Sequence, residues 1–427
     1  MLFKKENPIN DRRLYDYYPS TFMMVLFGIY AFLSFYEAYI TKLIGSVTIY
    51  LIFALIVLLL YKYKYIKVRY YHYCIIAWLA FKMLSALWVW NGYNKMISAQ
   101  ILGHIGMVAL FCVLTVVNFE ETAIRLILEF FKIASFSMSI LTIFFSSGYV
   151  SGATGQAVES RVVLTLFGAQ YDPNNMAAFY LFGISVALYF LLCERRQILF
   201  NLVVCVLNVF SLLQTSSRAG FLSLIAICIL FAVSPLNKEE KAIDRFKRLG
   251  ILLVGGVIVY FFVFRYVFPD ALSRLLATSS YGDGSGRISI WNNALELFYA
   301  NPFFGSGWGC YWGYNNYYHA VHNTYLQNLC DVGVFGTVLF MVPIVRIFVL
   351  SFKRKYYFPA IFVCAGLMPA FFLDSTNKRF FWNAIIFATM ILNSNMKIIV
   401  AENERREKRK KKKSDQEAAT CKYIKQR

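Results

Sequence analysis

Long, uninterrupted blocks of apolar residues restrict the possible folds of this chain more than any other feature of its sequence. The blocks run for roughly 18–24 residues, the length that crosses a bilayer as an α-helix. Hydrophobic residues make up 59% of the 427-residue chain. Lipid offers no partner for backbone polar groups, so only helices or closed barrels can span a membrane. The sequence therefore predicts an all-α polytopic membrane protein.

About twelve transmembrane helices can be placed on the apolar blocks. The predicted spans are 21–40, 43–61, 73–91, 97–117, 124–146, 174–193, 198–215, 219–236, 250–269, 329–350, 357–374 and 380–397. A transmembrane domain over 21–397 then lies between an N-terminal segment (1–20) and a basic tail (398–427). Two connectors, 147–173 and the large loop 270–328 between spans 9 and 10, exceed ordinary turn length. Within the second loop, the spacing of apolar residues predicts a helix over 287–302.

The distribution of positive charge predicts the orientation. Lysine and arginine cluster in alternate connectors, at residues 4–13, 62–69, 195–196, 238–248 and 353–355, and in the tail. The positive-inside rule places these connectors and both termini in the cytoplasm, and it places the two long connectors outside. The acidic segment 118–123 is the exception, because Arg125 alone supports its placement inside.

The net charge of +20 has a related interpretation. The tail run REKRKKKK (406–413) suits contact with anionic lipid at the cytoplasmic surface. Nucleic-acid binding is disfavoured, because no groove-reading motif or stacking platform accompanies the charge.

Polar motifs collect on the predicted outer side. They are Arg161 in ESRVVLTLFG, DPNNMAAF (172–179), SSRAG (216–220), GSGRISIW (284–291), NPFFGSGWG (301–309) and HNTYL (322–326). Arginine suits a multiply charged phosphate, because its guanidinium is permanently charged and can bind in a bidentate manner. Arg218 lies in a very short connector at the membrane boundary, where a lipid pyrophosphate would present its charge. The alternatives are a snorkelling Arg218, a surface Arg287, and an Asp172 that only caps a helix.

The histidines of HAVHNTYLQ (319–327) allow three readings. His319 and His322 would share a face if the segment were helical. A metal site is disfavoured, because no carboxylate or cysteine lies at ligand spacing. A general base that accepts a proton from a sugar hydroxyl suits histidine better, and helix capping is the simplest alternative. Lys82, His104, Glu129 and Lys132 are predicted to lie inside the helix bundle or to snorkel.

These five motifs, SSRAG, DPN, GR-x-x-x-W, N-P-x-x-G-x-G and H-N-x-Y-L, resemble those of the O-antigen ligase and polymerase superfamily, over roughly residues 160–345. The resemblance implies a GT-C-like glycosyltransferase in the bacterial cytoplasmic membrane, with its active site facing outward and no metal or cofactor. Its donor would be an undecaprenyl-pyrophosphate-linked glycan and its acceptor a glycan or a lipid-linked sugar. A flippase and a chain-length regulator are further expected partners.

Carried over to this sequence, the resemblance makes Arg218 and Arg287 the pyrophosphate-binding arginines and His322 the residue that activates the acceptor hydroxyl for inverting displacement. Arg161 matches an arginine ahead of DPN. The other expected substrate-binding residues are Asn174, Ser217, Trp308, Asn323 and Tyr325.

Polymerisation of capsule or O-antigen repeats is favoured over ligation to lipid A-core, because it needs an acceptor of the same kind as the donor. The rival classes are a lipid-linked oligosaccharide flippase or other transporter, a scaffolding protein, and a metal-dependent enzyme, which the carboxylate-free loop at 41–42 disfavours.

Overall fold

A computed structural model describes residues 17–37, 39–40, 48–89, 94–150, 157–236, 240–258, 287–312 and 320–394. The helices are α1 Thr21–Phe35, α2 Thr48–Leu60, α3 Tyr70–Ser85, α4 Asn94–Thr115, α5 Glu121–Phe145, α6 Pro173–Tyr189, α7 Ile198–Gln214, α8 Arg218–Val233, α9 Ala242–Ile258, α10 Arg287–Ala300, α11 Thr324–Lys353, α12 Phe358–Leu367 and α13 Arg379–Asn393. The expectations for His319 and for the basic tail lie outside the described residues.

Each of the twelve predicted spans overlaps one of these helices, and α10 occupies the position of the extra helix predicted over 287–302. Among the described residues, three helices are long and apolar enough to cross a membrane: Glu121–Phe145, Pro173–Glu194 and Thr324–Lys353. Shorter apolar helices accompany them, at Thr21–Phe35, Gln100–Thr115, Ile198–Gln214, Arg218–Val233, Phe358–Phe371 and Arg379–Asn393. The chain is a mostly helical membrane protein, and the count of twelve spans and the GT-C-like arrangement stay predictions.

Helix α1 shows how the bundle presents itself to lipid. Met23 and Phe27 point inward and are fully buried, whereas Phe22, Val25 and Ile29 on the opposite face are 50–59% exposed. Both faces are therefore apolar, as expected of a helix with protein on one side and hydrocarbon on the other.

Close helix packing in the interior depends on small residues. A Cβ atom added to Gly183 on α6 would lie 2.3 Å from Ser135 Oγ on α5, and one added to Gly220 on α8 would lie 2.6 Å from Ala177 Cβ on α6. Small side chains at helix crossings let the backbones approach, which maximises van der Waals contact in lipid. Larger residues at these two positions would force α6 away from its neighbours.

The described parts of the connectors with clustered positive charge lie at one end of the bundle, which we call the basic end. Tyr17 N donates to Asn118 O at 2.8 Å, and Lys67 N donates to Val116 O at 2.8 Å. Arg125 Nε lies 3.1 Å from Glu194 Oε1, so the acidic segment predicted to be inside is joined to the connector after α6. The contact brings the acidic segment beside the connector 195–196, although its charge differs from that of the basic connectors.

A small antiparallel sheet occupies the connector after α5, where the sequence analysis predicted only a loop in an all-α protein. The strands β1 Ser146–Val150, β2 Ala157–Leu166 and β3 Ala169–Gln170 lie in the order β1-β2-β3. Phe167 and Gly168 have φ values of 51° and 68°, which suit a two-residue hairpin turn. The expectation of an all-α fold is therefore wrong here: the run RVVLTL is rich in β-branched residues, which favour strands.

Candidate functional site

The start of α6 is fixed by its own sequence. Asp172 is the N-cap residue, and its Oδ1 accepts hydrogen bonds from Asn174 N at 2.9 Å and from Asn175 N at 3.2 Å. Pro173 at the first helical position needs no partner for a backbone N–H. The helix start predicted from DPN is confirmed, and the cap leaves the Asn174 side chain available for other contacts.

Arg161, Asn174 and Ser217 form one hydrogen-bond network between β2, α6 and α8. Asn174 Oδ1 accepts from Arg161 Nη2 at 2.9 Å and from Ser217 Oγ at 2.8 Å. Arg161 Nε donates to Thr215 O at 3.1 Å. Ser217 also caps α8 by accepting from Gly220 N at 3.1 Å. The network holds the first turns of α6 and α8 side by side, and thereby the position of Arg218.

Arg287 begins α10, as predicted, in a half-buried position, and its guanidinium carbon lies 5.8 Å from the centre of the Phe372 ring. Burial lowers the pKa of Arg287; the Asp172 carboxylate raises it and the Arg218 guanidinium lowers it further. Arg218 and Arg287 are therefore near enough to repel each other. A dianionic group between them would relieve the repulsion and gain charge-assisted hydrogen bonds.

His322 lies just before α11 and is partly exposed. Its φ of 53° is in the left-handed region, so it does not continue a helix and cannot share a helical face with its neighbours. The cap of α11 is Asn323, whose Oδ1 accepts from Tyr325 N and Leu326 N, both at 3.1 Å. The helical alternative for this segment is therefore wrong, and capping is explained by Asn323 without the histidine.

Segment 367–375 contacts both the start of α11, next to His322, and Arg287 at the start of α10. Tyr325 OH donates to Leu367 O at 2.9 Å, and Thr324 Oγ1 donates to Leu373 O at 2.6 Å. In the same segment, Phe372 packs near Arg287 and lies 6.4 Å from the Trp291 ring, measured between centroids. His322 and Arg287 are thus held at the same end of the bundle, opposite the basic end.

Trp308 lies in a different environment from the other predicted substrate-binding residues. It is 2% exposed, its ring centroid lies 4.9 Å from that of His104, and its backbone N–H donates to Ser85 Oγ at 3.0 Å. Lys82 Nζ lies 5.4 Å from its ring centre. Trp308 therefore belongs to the buried interior of the bundle, and the described contacts do not join it to the arginines.

Lys82 forms a buried ion pair that the sequence analysis did not identify. Its Nζ lies 3.0 Å from Asp331 Oδ2, and both side chains are 1% exposed. The prediction that Lys82 and His104 face the bundle interior is confirmed, and Lys132 is also fully buried. Asp331 could have been noticed as a carboxylate inside an apolar span, where a charge is costly without a partner.

Metal-ligating side chains are not clustered in the described part of the chain. There, no three histidine, cysteine, aspartate or glutamate side chains are grouped so that they could hold a metal ion. The residues that converge here include arginines, amides and hydroxyls, and the permanently charged guanidinium groups favour an anion.

Comparison with known proteins gives two matches. Residues 203–341 match the family O-antigen ligase. A ComP-specific O-oligosaccharyltransferase of Acinetobacter baylyi is 28% identical over 178 residues, which are 37% of this chain and 30% of that protein. The chain thus spans under a third of the length of this curated relative. The matches confirm the resemblance to the O-antigen ligase superfamily, and the family match extends from α7 into α11.

Proposed function

We propose that this chain, with its O-antigen ligase domain over residues 203–341, is a glycosyltransferase of the bacterial cytoplasmic membrane. It would transfer a glycan from an undecaprenyl-pyrophosphate carrier to an acceptor on the outer face. The observation that carries the proposal is the placement of Arg218 at the start of α8 and Arg287 at the start of α10, beside Phe372, at the end of the bundle opposite the basic end. Both residues and His322 fall within the matched range.

The proposed reaction is a direct displacement at the anomeric carbon of the donor glycan. The acceptor oxygen forms a bond to that carbon while the bond to the pyrophosphate oxygen breaks, with inversion. The electron pair leaves with the polyprenyl pyrophosphate, whose charge Arg218 and Arg287 stabilise. His322 accepts the proton of the acceptor hydroxyl. The leaving group needs charge stabilisation more than protonation, and the two arginines would supply that stabilisation.

The neighbouring residues have supporting roles in this proposal. Arg161, Asn174 and Ser217 hold the first turn of α8 against α6, as their hydrogen bonds indicate. Asn323 and Tyr325 fix the start of α11 behind His322. These five residues would act by positioning the reacting groups, and Trp308 would act through the buried interior rather than on the glycan.

The acceptor that we favour is a second carrier-linked repeat unit, so that the reaction lengthens a capsule or O-antigen polysaccharide. Ligation to lipid A-core is the alternative, since the matched family is named for it. The Acinetobacter baylyi relative is a ComP-specific O-oligosaccharyltransferase, so O-linked transfer to a protein acceptor is a third possibility.

The proposal is tested by reconstituting the full chain in proteoliposomes with an undecaprenyl-pyrophosphate-linked oligosaccharide. We expect transfer in the presence of a chelator, with longer glycans when the donor is the sole acceptor. Lipid A-core and an acceptor protein are supplied in parallel reactions. Arg218→Gln should abolish transfer, while Arg196→Gln, at the basic end, should not. Movement of the lipid-linked oligosaccharide across the bilayer without new glycosidic bonds would instead indicate a transporter.

A further inference from the structure

The buried ion pair between Lys82 and Asp331 is connected to the backbone beside His322. Asp331 Oδ1 accepts a hydrogen bond from Gln327 Nε2 at 2.8 Å, one turn earlier on α11. The other end of that amide, Gln327 Oε1, accepts from Val321 N at 3.3 Å. A continuous series of polar contacts therefore leads from Lys82 to the residue that directly precedes His322.

Val321 is also held from the opposite side. Its carbonyl oxygen accepts from Trp291 Nε1 at 3.1 Å, and Trp291 lies one turn after Arg287 on α10. Both backbone polar groups of Val321 are thus bonded, and its side chain is fully buried. The two bonds join the helix that begins with Arg287 to the helix that begins just after His322.

The backbone of His322 needs such support. A φ of 53° is uncommon for a residue other than glycine, and it persists where the surroundings fix it. The carboxylate of Asp331 is itself well fixed: Lys82 binds one oxygen, and Gln327 and Gly309 N, at 3.2 Å, donate to the other. The donor from Gly309 ties the NPFFGSGWG loop to the same carboxylate.

We propose that Gln327, anchored by Asp331 and Lys82, is a positioning residue that fixes the backbone at Val321 and so places His322 relative to Arg287. The catalytic consequence rests on the proposed function. The hydrogen bonds from Asp331 through Gln327 to Val321, which we call the clamp, do not depend on it. Displacement of a reacting group by about 1 Å can reduce a rate roughly 100-fold, so a clamp of this kind has a measurable effect on turnover. Donor binding depends on the arginines and is expected to change little.

Two neutral double variants separate positioning from simple stabilisation. Lys82→Met with Asp331→Asn, the Met/Asn variant, removes the ion pair but keeps an oxygen that can accept a hydrogen bond from Gln327. Lys82→Met with Asp331→Leu, the Met/Leu variant, removes both the ion pair and the oxygen that accepts from Gln327. Neither variant leaves an unpaired buried charge, which would by itself destabilise the protein. A third variant, Gln327→Leu, interrupts the clamp directly.

The first measurement does not depend on enzyme activity. Hydrogen–deuterium exchange of the full chain in detergent follows the amide of Val321 in peptides that cover residues 320–323. We expect exchange about 10-fold faster or more in Gln327→Leu and in the Met/Leu variant, and close to wild type in the Met/Asn variant. Equal exchange in all four proteins would overturn the clamp.

The second measurement is transfer kinetics with an undecaprenyl-pyrophosphate-linked oligosaccharide as the donor. We expect kcat to fall roughly 10-fold to 100-fold in Gln327→Leu and the Met/Leu variant, with donor KM within about threefold of wild type. The Met/Asn variant should keep most of the wild-type kcat. Equal losses of kcat in the Met/Asn and Met/Leu variants would overturn the positioning role, since only one of them lacks the acceptor.

A second ion pair in the same bundle, between the buried Lys132 and the partly buried Glu129, provides the control. Lys132 Nζ lies 2.6 Å from Glu129 Oε2, and the Lys132 side chain is fully buried on the side of the basic end, where it also bonds Asn201. Lys132→Met with Glu129→Leu should change neither Val321 exchange nor kcat. If exchange responds as expected but the wild-type protein transfers no glycan, the proposed function fails and the clamp stands.

Discussion

Replacement of Arg287 by glutamine should weaken the binding of a pyrophosphate strongly while changing the stability of the folded protein little. Arg287 is half-buried, and burial and Arg218 both lower its pKa, so its charge is a burden to the unliganded protein. A neutral side chain removes that burden. The losses are the contact with Phe372, worth about 0.5–1 kcal/mol, and the attraction to Asp172, which burial and the repulsion from Arg218 outweigh. We therefore expect the melting temperature in detergent to stay within about 3 °C of wild type.

Anion binding should respond far more strongly. A hydrogen bond to a charged group contributes about 1.5–3 kcal/mol, which corresponds to a roughly 10-fold to 150-fold change in Kd. Titration with farnesyl pyrophosphate measures this directly, with farnesol as the uncharged comparison. Arg287→Gln should weaken binding of the pyrophosphate by that factor and leave binding of the alcohol unchanged.

Arg196 offers a matched control for Arg287. Its guanidinium carbon lies 6.0 Å from the Phe190 ring centre, so it has a similar aromatic contact, but it lies at the basic end. Arg196→Gln should leave the Kd for farnesyl pyrophosphate unchanged. The reasoning is refuted if Arg287→Gln lowers the melting temperature strongly while the Kd for farnesyl pyrophosphate stays at the wild-type value.

Two further predictions test the backbone of the site. His322→Gly suits the observed φ of 53° and removes the imidazole, so the variant should fold as well as wild type. Its transfer rate should fall roughly 100-fold to 10,000-fold. A transfer rate equal to wild type would exclude general-base catalysis by His322. Gly333→Ala would place a Cβ 2.4 Å from Phe303 O at a residue with φ of 61°, and we expect about 2–5 kcal/mol of destabilisation in thermal unfolding. Gly250→Ala is the control, since an added Cβ there meets no atom within 4 Å, and a similar loss in both variants would contradict the steric argument.

Much of the helical framework could be predicted from the sequence because its signals are local. Apolar blocks indicate the spans, and the DPN motif predicts the start of α6, which the side chain of Asp172 caps. The basic connectors predict which helix ends meet, as the hydrogen bond from Lys67 N, in the connector 62–69, to Val116 O at the end of α4 shows. The sheet was missed because β1–β3 are short and follow a long helix without a strong turn signal before β1.

The contacts within the candidate site depend on distant parts of the chain and could not be predicted in the same way. Lys82 and Asp331 are each recognisable as charges inside apolar spans. Their pairing, however, depends on how α3 packs against α11, and Lys132 and Glu129 offered rival partners. The conformation of His322 was likewise hidden, because its left-handed backbone is set by Val321 and Asn323 rather than by any helical periodicity.

In the proposed function, the end of the bundle that carries Arg218 and Arg287, the arginine end, holds the pyrophosphate of a lipid-linked donor. The most direct test of this claim is electron cryo-microscopy of the full chain in nanodiscs with an undecaprenyl-pyrophosphate-linked oligosaccharide. We predict density for the pyrophosphate between Arg218 and Arg287, with the first sugar directed towards His322. Density for the pyrophosphate at the basic end, or at the arginine end but away from both arginines, would contradict the account.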